Sequence, residues 1–156
     1  VMLLSTMAIP RFTEKHLRVS RTQFPLSLTN RDMSEHRKTL GKKGEDLAVS
    51  YLQKSQGYRI LQRNYRCTIG EVDIIAKDHD VLCFIEVRTR GSERFGNPKE
   101  SITKRKQHQI SKVALEFINR HNVQHMKARF DVVAVYLRPP KERLELIKDA
   151  FELTLH

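Results

Sequence analysis

The chain has 156 residues and a mass of 18.3 kDa, which is one domain's worth. With 39% hydrophobic residues, 30% charged ones and a mean hydropathy of −0.53, it is too polar for a membrane protein. Clustered apolar residues from Leu40 onward argue equally against disorder of the whole chain.

Lys and Arg number 29 against 18 Asp and Glu, a formal charge of +11. Such a surplus points to a polyanion as partner, nucleic acid ahead of an anionic membrane surface, with solubility alone as the plain alternative. Cys67 and Cys83 stand in no C-x-x-C pair and cannot build a disulfide framework. The expectation is a reduced, soluble, cytoplasmic protein with no membrane partner.

Residues 1–36 hold scattered apolar residues without a period, two prolines (Pro10 and Pro25) and a positive balance. They read as a mobile basic extension before a domain over 37–156, with Met33 as a candidate initiator. The opening lacks the basic start and cleavage box of a signal peptide. Leu40, Gly44, Leu47, Ala48, Tyr51 and Leu52 then fall at helical spacing, and Gly57 sits where a helix would stop.

Three extended segments follow, Tyr58–Arg66, Glu71–Lys77 and Val81–Arg90, the last two joined by an Asp78-His79-Asp80 turn. After a polar loop, Asn97-Pro98-Lys99-Glu100 has the form of a helix start, with Asn97 as cap. Ile110, Val113, Ala114, Phe117 and Ile118 would give that helix its buried stripe, ending near Arg120. Phe130–Leu137 is a nearly continuous apolar run, expected to be covered on both faces. Pro139-Pro140 ends it, and Leu144–Ile147 could add an edge strand. The order α-β-β-β-α-β predicts an α/β sandwich, a mixed sheet with a helix on each face.

The anomaly lies in the middle strands. Simple alternation sends Glu71, Asp73 and Ile75 to one face and Val72, Ile74 and Ala76 to the other. It likewise sets Glu86, Arg88 and Arg90 opposite Ile85 and Val87. Pairing through the turn brings Asp73 beside Glu86. Two carboxylates among Val and Ile are costly to desolvate and repel each other, and a divalent cation removes both penalties. Mg²⁺ in particular takes one or two carboxylates plus water and substrate phosphate.

From Arg88 to Lys112 eight Lys and Arg stand against two Glu. An acidic centre inside a basic rim is what phosphodiester cleavage needs. Plainer readings compete at several positions. Glu71 could be a solvated edge residue, Asp73 a cross-strand partner of Arg88, and Glu45 a charge favouring its helix N-terminus. Asp131 is better read as a partner of Arg129. Lys104 and Lys106 could be solvent charges, and the His121–His125 spacing alone makes a poor zinc site.

Taken together, Gly44-Glu45-Asp46-Leu47-Ala48, Gly57-Tyr58, Arg63-Asn64-Tyr65-Arg66, Gly70-Glu71-Val72-Asp73-Ile74-Ile75-Ala76, Phe84-Ile85-Glu86-Val87-Arg88-Thr89-Arg90 and Arg129-Phe130-Asp131-Val132-Val133 resemble the bacterial YraN-type family. That family is placed in the restriction-endonuclease-like superfamily, akin to archaeal Holliday-junction resolvases. The resemblance spans about Gly41 to Leu137 and leaves out the N-terminal extension.

It implies a restriction-endonuclease-like core and a catalytic set of Glu45, Asp73, Glu86 and Arg88. Asp73 and Glu86 would hold Mg²⁺ or Mn²⁺, with the Val87 carbonyl as a further ligand and Glu45 assisting metal or water. Where the superfamily signature has lysine, this chain has Arg88, which stays protonated and cannot act as a base; Lys104 or Lys106 would have to substitute.

Arg90, Arg94, Lys104, Arg105 and Lys106 are the candidate nucleic-acid contacts. Function is then expected to be a metal-dependent DNA endonuclease acting on branched or damaged DNA, possible as a homodimer because a junction presents two symmetric strands. The alternatives are a non-catalytic nucleic-acid-binding module on the same fold, and an adaptor that works through the basic arm.

Overall fold

The computed structural model describes residues 30–90, 102–137 and 142–155. In chain order these form α1 (Asn30–Ser55), β1 (Arg59–Cys67), β2 (Gly70–Asp78), β3 (Val81–Arg90), α2 (Lys104–Arg120), β4 (Lys127–Tyr136) and β5 (Arg143–Phe151). The strands make one sheet in the order β1-β2-β3-β4-β5, parallel between β3 and β4 and antiparallel elsewhere. The parallel pair is where α2 crosses over, as a β-α-β connection requires.

Each helix covers one face. Ala48 and Leu52 of α1 pack on Ile74, Ala76, Cys83, Ile85, Val133 and Val135. Ile110, Val113, Ala114 and Phe117 of α2 pack on Val72, Ile75, Leu82, Phe84, Phe130 and Val132. Residues 130–136 of β4 are all buried, which explains the unbroken apolar run in the sequence. Gly44 lets α1 approach β3: a Cβ there would overlap Thr89 Oγ1 and stand 3.0 Å from Thr89 Cβ. Ser55 ends α1, and Gly57 takes a left-handed φ of 73° so that the Tyr58 N–H can turn back to the Leu52 carbonyl at 2.9 Å.

Four expectations change. Helix α1 begins at Asn30 rather than near Leu40. Residues 31–39 are all exposed, so no apolar period could announce that part of the helix. Helix α2 begins at Lys104, capped by Thr103, whose hydroxyl accepts from the Lys106 N–H; Asn97 is not its cap and lies outside the described residues. Strand β5 runs to Phe151, well past Ile147.

The fourth change concerns β2. Val72 and Ile75 face α2 while Ile74 and Ala76 face α1, so alternation slips at Asp73. Across from it, the register runs Arg63–Ile74 and Tyr65–Val72. Asn64, between them on β1, has a φ of 49°, a left-handed conformation that asparagine tolerates. The two strands turn over together at this point.

Candidate functional site

Pairing between β2 and β3 runs from Asp78–Val81 to Ile74–Ile85 and stops. The next positions on the two strands are Asp73 and Glu86. Instead of a further backbone bond, the Val87 N–H donates to Asp73 Oδ2 at 2.7 Å. Glu86 is 4% exposed. Its Oε1 lies 3.5 Å from Arg88 Nη2 and its Oε2 lies 3.2 Å from Lys106 Nζ. These are ion-pair contacts only, for Glu86 Oε2 is buried without a hydrogen-bond partner, and so is Arg88 Nε.

The electrostatics follow from that burial. Desolvation pushes the Glu86 carboxyl up to about 7, the charge of Asp73 pushes the same way, and Lys106 and Arg88 oppose them. Asp73 is also raised by burial, against the Val87 N–H and the positive charge of Lys106. On α1, half-buried Glu45 is raised by desolvation and by Asp73, while a hydrogen bond with Asn64 works against the shift. Asp73 thus lies within electrostatic reach of both Glu45 and Glu86, and all three carboxyls are raised. Both Asp73 and Glu86 feel Lys106 and Arg88, so the cationic side chains serve the pair as a unit.

Among the described residues, no group of three or more His, Cys, Asp and Glu side chains is arranged to enclose a metal ion. Zinc-type ligation is therefore not what this arrangement suits. A hard cation that keeps most of its water and needs one or two carboxylates does fit. Glu86 Oε2, buried and met only by the Lys106 ammonium at 3.2 Å, lies beside a second carboxylate where such an ion would bind.

Beyond Arg88 and Lys106, the other basic side chains line separate cavities. Lys106 shares a cavity of about 290 Å³ with Arg66, Glu71 and Gln109. The adjoining cavity, about 260 Å³, is lined by Arg105, His108 and Lys112 together with Ile69 and Gln109. Lys104 points away from both and lines a different groove with Gln107 and Phe151. The two lysines two residues apart are therefore not equivalent. Arg90, on the same face of β3 as Glu86 and Arg88, is 9% exposed at the end of the strand. Arg94 lies outside the described residues.

Glu71 is half-exposed and paired with Arg66 at 3.1 Å, the plain edge reading. Asp131 does pair with Arg129, at 2.9 Å, but within a larger network at the opposite end of β2 and β3. There Tyr58 donates to Asp131, while Arg129 and Lys148 both reach Asp78, holding its carboxyl well below the usual range. His121 stacks on Phe117 with ring centroids 4.0 Å apart and lies within hydrogen-bond distance of the Phe117 carbonyl at the end of α2. Asn64 and Arg66 stood in a motif of the sequence but were given no role at the site. Besides its place in that motif, the signal for Asn64 was its tolerance of positive φ.

Comparison with known proteins gives a consistent result. The model of the uncharacterised protein family UPF0102 matches residues 44–135, a span containing Glu45, Asp73, Glu86, Arg88 and Lys106. A UPF0102 protein of Syntrophus aciditrophicus (strain SB) is 50% identical over 113 residues, covering 72% of this chain and 88% of its own. Its counterpart in Geobacter metallireducens is 46% identical over 121 residues, 78% of this chain and 98% of its own. A third, from Caldicellulosiruptor saccharolyticus, is 48% identical over 118 residues, 74% and 99% of the two chains.

Proposed function

The chain belongs to the uncharacterised protein family UPF0102, and from the geometry around Asp73 and Glu86 we propose that it is a metal-dependent DNA endonuclease of restriction-endonuclease-like fold. The observation that carries the reading is the pair of carboxylates at the parting of β2 and β3, Glu86 buried and Asp73 partly so, with Arg88 and Lys106 beside them.

Asp73 and Glu86 would hold Mg²⁺ or Mn²⁺. When bound, the ion supplies a Lewis acid at the scissile phosphate and lowers the pKa of water nearby. The chain's own residues do the rest. The Val87 N–H fixes Asp73 Oδ2 so that its other oxygen is left for ligation. Arg88 and Lys106, already drawn to Glu86, offer donors to the phosphate oxygens as charge builds on them. Arg88 cannot take up a proton, so it steadies charge and nothing more. Glu45, held by Asn64 on the α1 side, orients the attacking water and receives its proton, a task that suits a carboxyl raised above its ordinary value. Arg66, Arg105 and Lys112 track the backbone on either side.

The substrate we favour is branched or damaged DNA in the cytoplasm, in keeping with the resolvase resemblance. Four-way-junction, flap, single-stranded and linear duplex DNA incubated with Mn²⁺ or EDTA tests the proposal. Cleavage that needs Mn²⁺ and disappears in Asp73→Asn supports it, and cleavage undiminished in that variant rejects the site.

A second reading, a non-catalytic nucleic-acid-binding module, draws on Arg88 in the lysine position and on the finding that, among the described residues, no three His, Cys, Asp or Glu side chains are grouped to hold a metal. On that reading binding is salt-sensitive, indifferent to EDTA, and yields no product with any metal.

A further inference from the structure

The two tight hairpin turns of the sheet are made of unlike residues. Asp78 pairs with Val81, so His79 and Asp80 turn β2 into β3, and His79 takes a left-handed φ of 54°. Cys67 pairs with Gly70, so Thr68 and Ile69 turn β1 into β2 at the other end. Two-residue hairpin turns favour Asn, Asp and Gly, and an exposed, β-branched apolar residue answers neither turn chemistry nor the core. Ile69 is 42% exposed. A single exposed isoleucine is ordinary on a protein surface; the setting of this one is not.

Helix α2 places this turn. Gln109 Nε2 donates to the Ile69 carbonyl at 3.4 Å. Gly70 makes room for that side chain, since a Cβ there would overlap Gln109 Nε2 and stand 2.8 Å from its Cδ. Ile69 lines one cavity with Gln109 and with Arg105, His108 and Lys112, which fall at helical spacing along one face of α2. No acidic side chain of a described residue lines it. Gly70 and Gln109 also line the neighbouring cavity with Arg66 and Lys106, and Lys106 reaches Glu86 at 3.2 Å. Asp73 follows Ile69 along the chain by a stretch that spans about 13 Å when extended, or roughly four base steps.

An apolar tip fastened beside Arg and Lys side chains fits a ligand that is anionic outside and flat and apolar within, which describes nucleic acid at an opened base step. We infer that Ile69 is a wedge. It enters DNA at a step already loosened by a mismatch or a branch point and takes the place of a stacked base, while Arg105 and Lys112 hold the phosphates on that side. Unstacking an intact step costs more than entering a loosened one, so the tip selects for distorted DNA. The inference rests on the proposed nuclease reading for its place beside the site, but it makes a separate claim about which DNA is bound.

The test uses the full chain, unaltered and as Ile69→Asn, Ile69→Leu and Arg105→Ala, with a matched duplex and one carrying 2-aminopurine beside a mismatch, both in EDTA. Asparagine suits a tight turn, so Ile69→Asn should melt within a few degrees of the wild type. The wild type and Ile69→Leu should raise 2-aminopurine fluorescence severalfold and favour the mismatched duplex by about tenfold, the scale of burying part of one isoleucine side chain. Ile69→Asn should lose both effects and keep its slope of affinity against salt. Arg105→Ala should lower that slope by about one and keep the preference. Wild-type fluorescence and preference in Ile69→Asn would overturn the wedge, even if Mn²⁺-dependent cleavage by the wild type upholds the nuclease. A sharp fall in the melting temperature of Ile69→Asn would assign Ile69 to packing and do the same. The expected fluorescence pattern, with no cleavage by the wild type in any metal, would keep the wedge and discard the nuclease. A wild type that binds neither duplex would sink both.

Discussion

Asp73 accepts the backbone N–H of Val87 at 2.7 Å, so a side chain closes the position where the β2–β3 ladder would otherwise continue. The carboxylate thus has a structural task as well as a chemical one, and substitutions separate the two. Asparagine keeps an acceptor oxygen, so Asp73→Asn should melt within a few degrees of the wild type yet lose Mn²⁺-dependent cleavage. Alanine leaves the Val87 N–H unmet and should cost about 1–3 kcal/mol of stability. Denaturant titration beside cleavage assays checks both; an Asp73→Asn protein that cuts at the wild-type rate contradicts the assignment.

Lys104 and Lys106 are alike in sequence and unlike in place. Lys106→Met should slow cleavage by about 10²–10³-fold, the scale for losing one preorganised charge donor. Lys104→Met should leave the rate per bound substrate unchanged, since Lys104 lines a different groove. Single-turnover rates for the two variants make the comparison, and equal losses would count against Lys106 as a site residue.

The raised carboxyls imply a pH dependence of stability without metal. Glu86 has its pKa pushed up to about 7 from a usual 4.5, so the folded state holds a proton that the unfolded state has released. Stability from this group therefore falls as pH rises from about 4.5 to 7 and levels off above. Asp73 shifts in the same direction. Glu86→Gln removes the group, so its melting temperature in EDTA should gain on that of the wild type across that window. Parallel melting curves from pH 4.5 to 8 would show that Glu86 ionises freely in the fold.

The network around Arg129 offers a control. Arg129 joins buried Asp131 to Asp78 and also meets Tyr58. Arg129→Ala strands buried carboxylates and should cost about 3–5 kcal/mol. Because this network lies at the other end of β2 and β3, cleavage per folded molecule should hold at temperatures well below melting. A selective loss of activity there would tie the two ends of the sheet together.

Much of this architecture is legible in sequence because burial on both faces leaves long apolar runs, as in Phe130–Tyr136 and Val81–Ile85. The carboxylate pair is legible for the opposite reason, since Asp73 and Glu86 interrupt such runs. The first ten residues of α1 were illegible because their helix buries nothing that a period could record. The slip at Asp73 was equally hidden, for alternation assumes a regular strand and Asn64 breaks that regularity from the neighbouring one. Burial of Arg90 and the divergence of Lys104 from Lys106 depend on side-chain direction at element ends, where spacing says little.

Isothermal titration of Mn²⁺ into the wild type, Asp73→Asn and Glu86→Gln tests the account most directly. One ion should bind per wild-type chain, raising its melting temperature, and each substitution should abolish or sharply weaken both effects. Uptake of Mn²⁺ that is absent from the wild type, or equal in all three proteins, would contradict the shared cation on which the account stands.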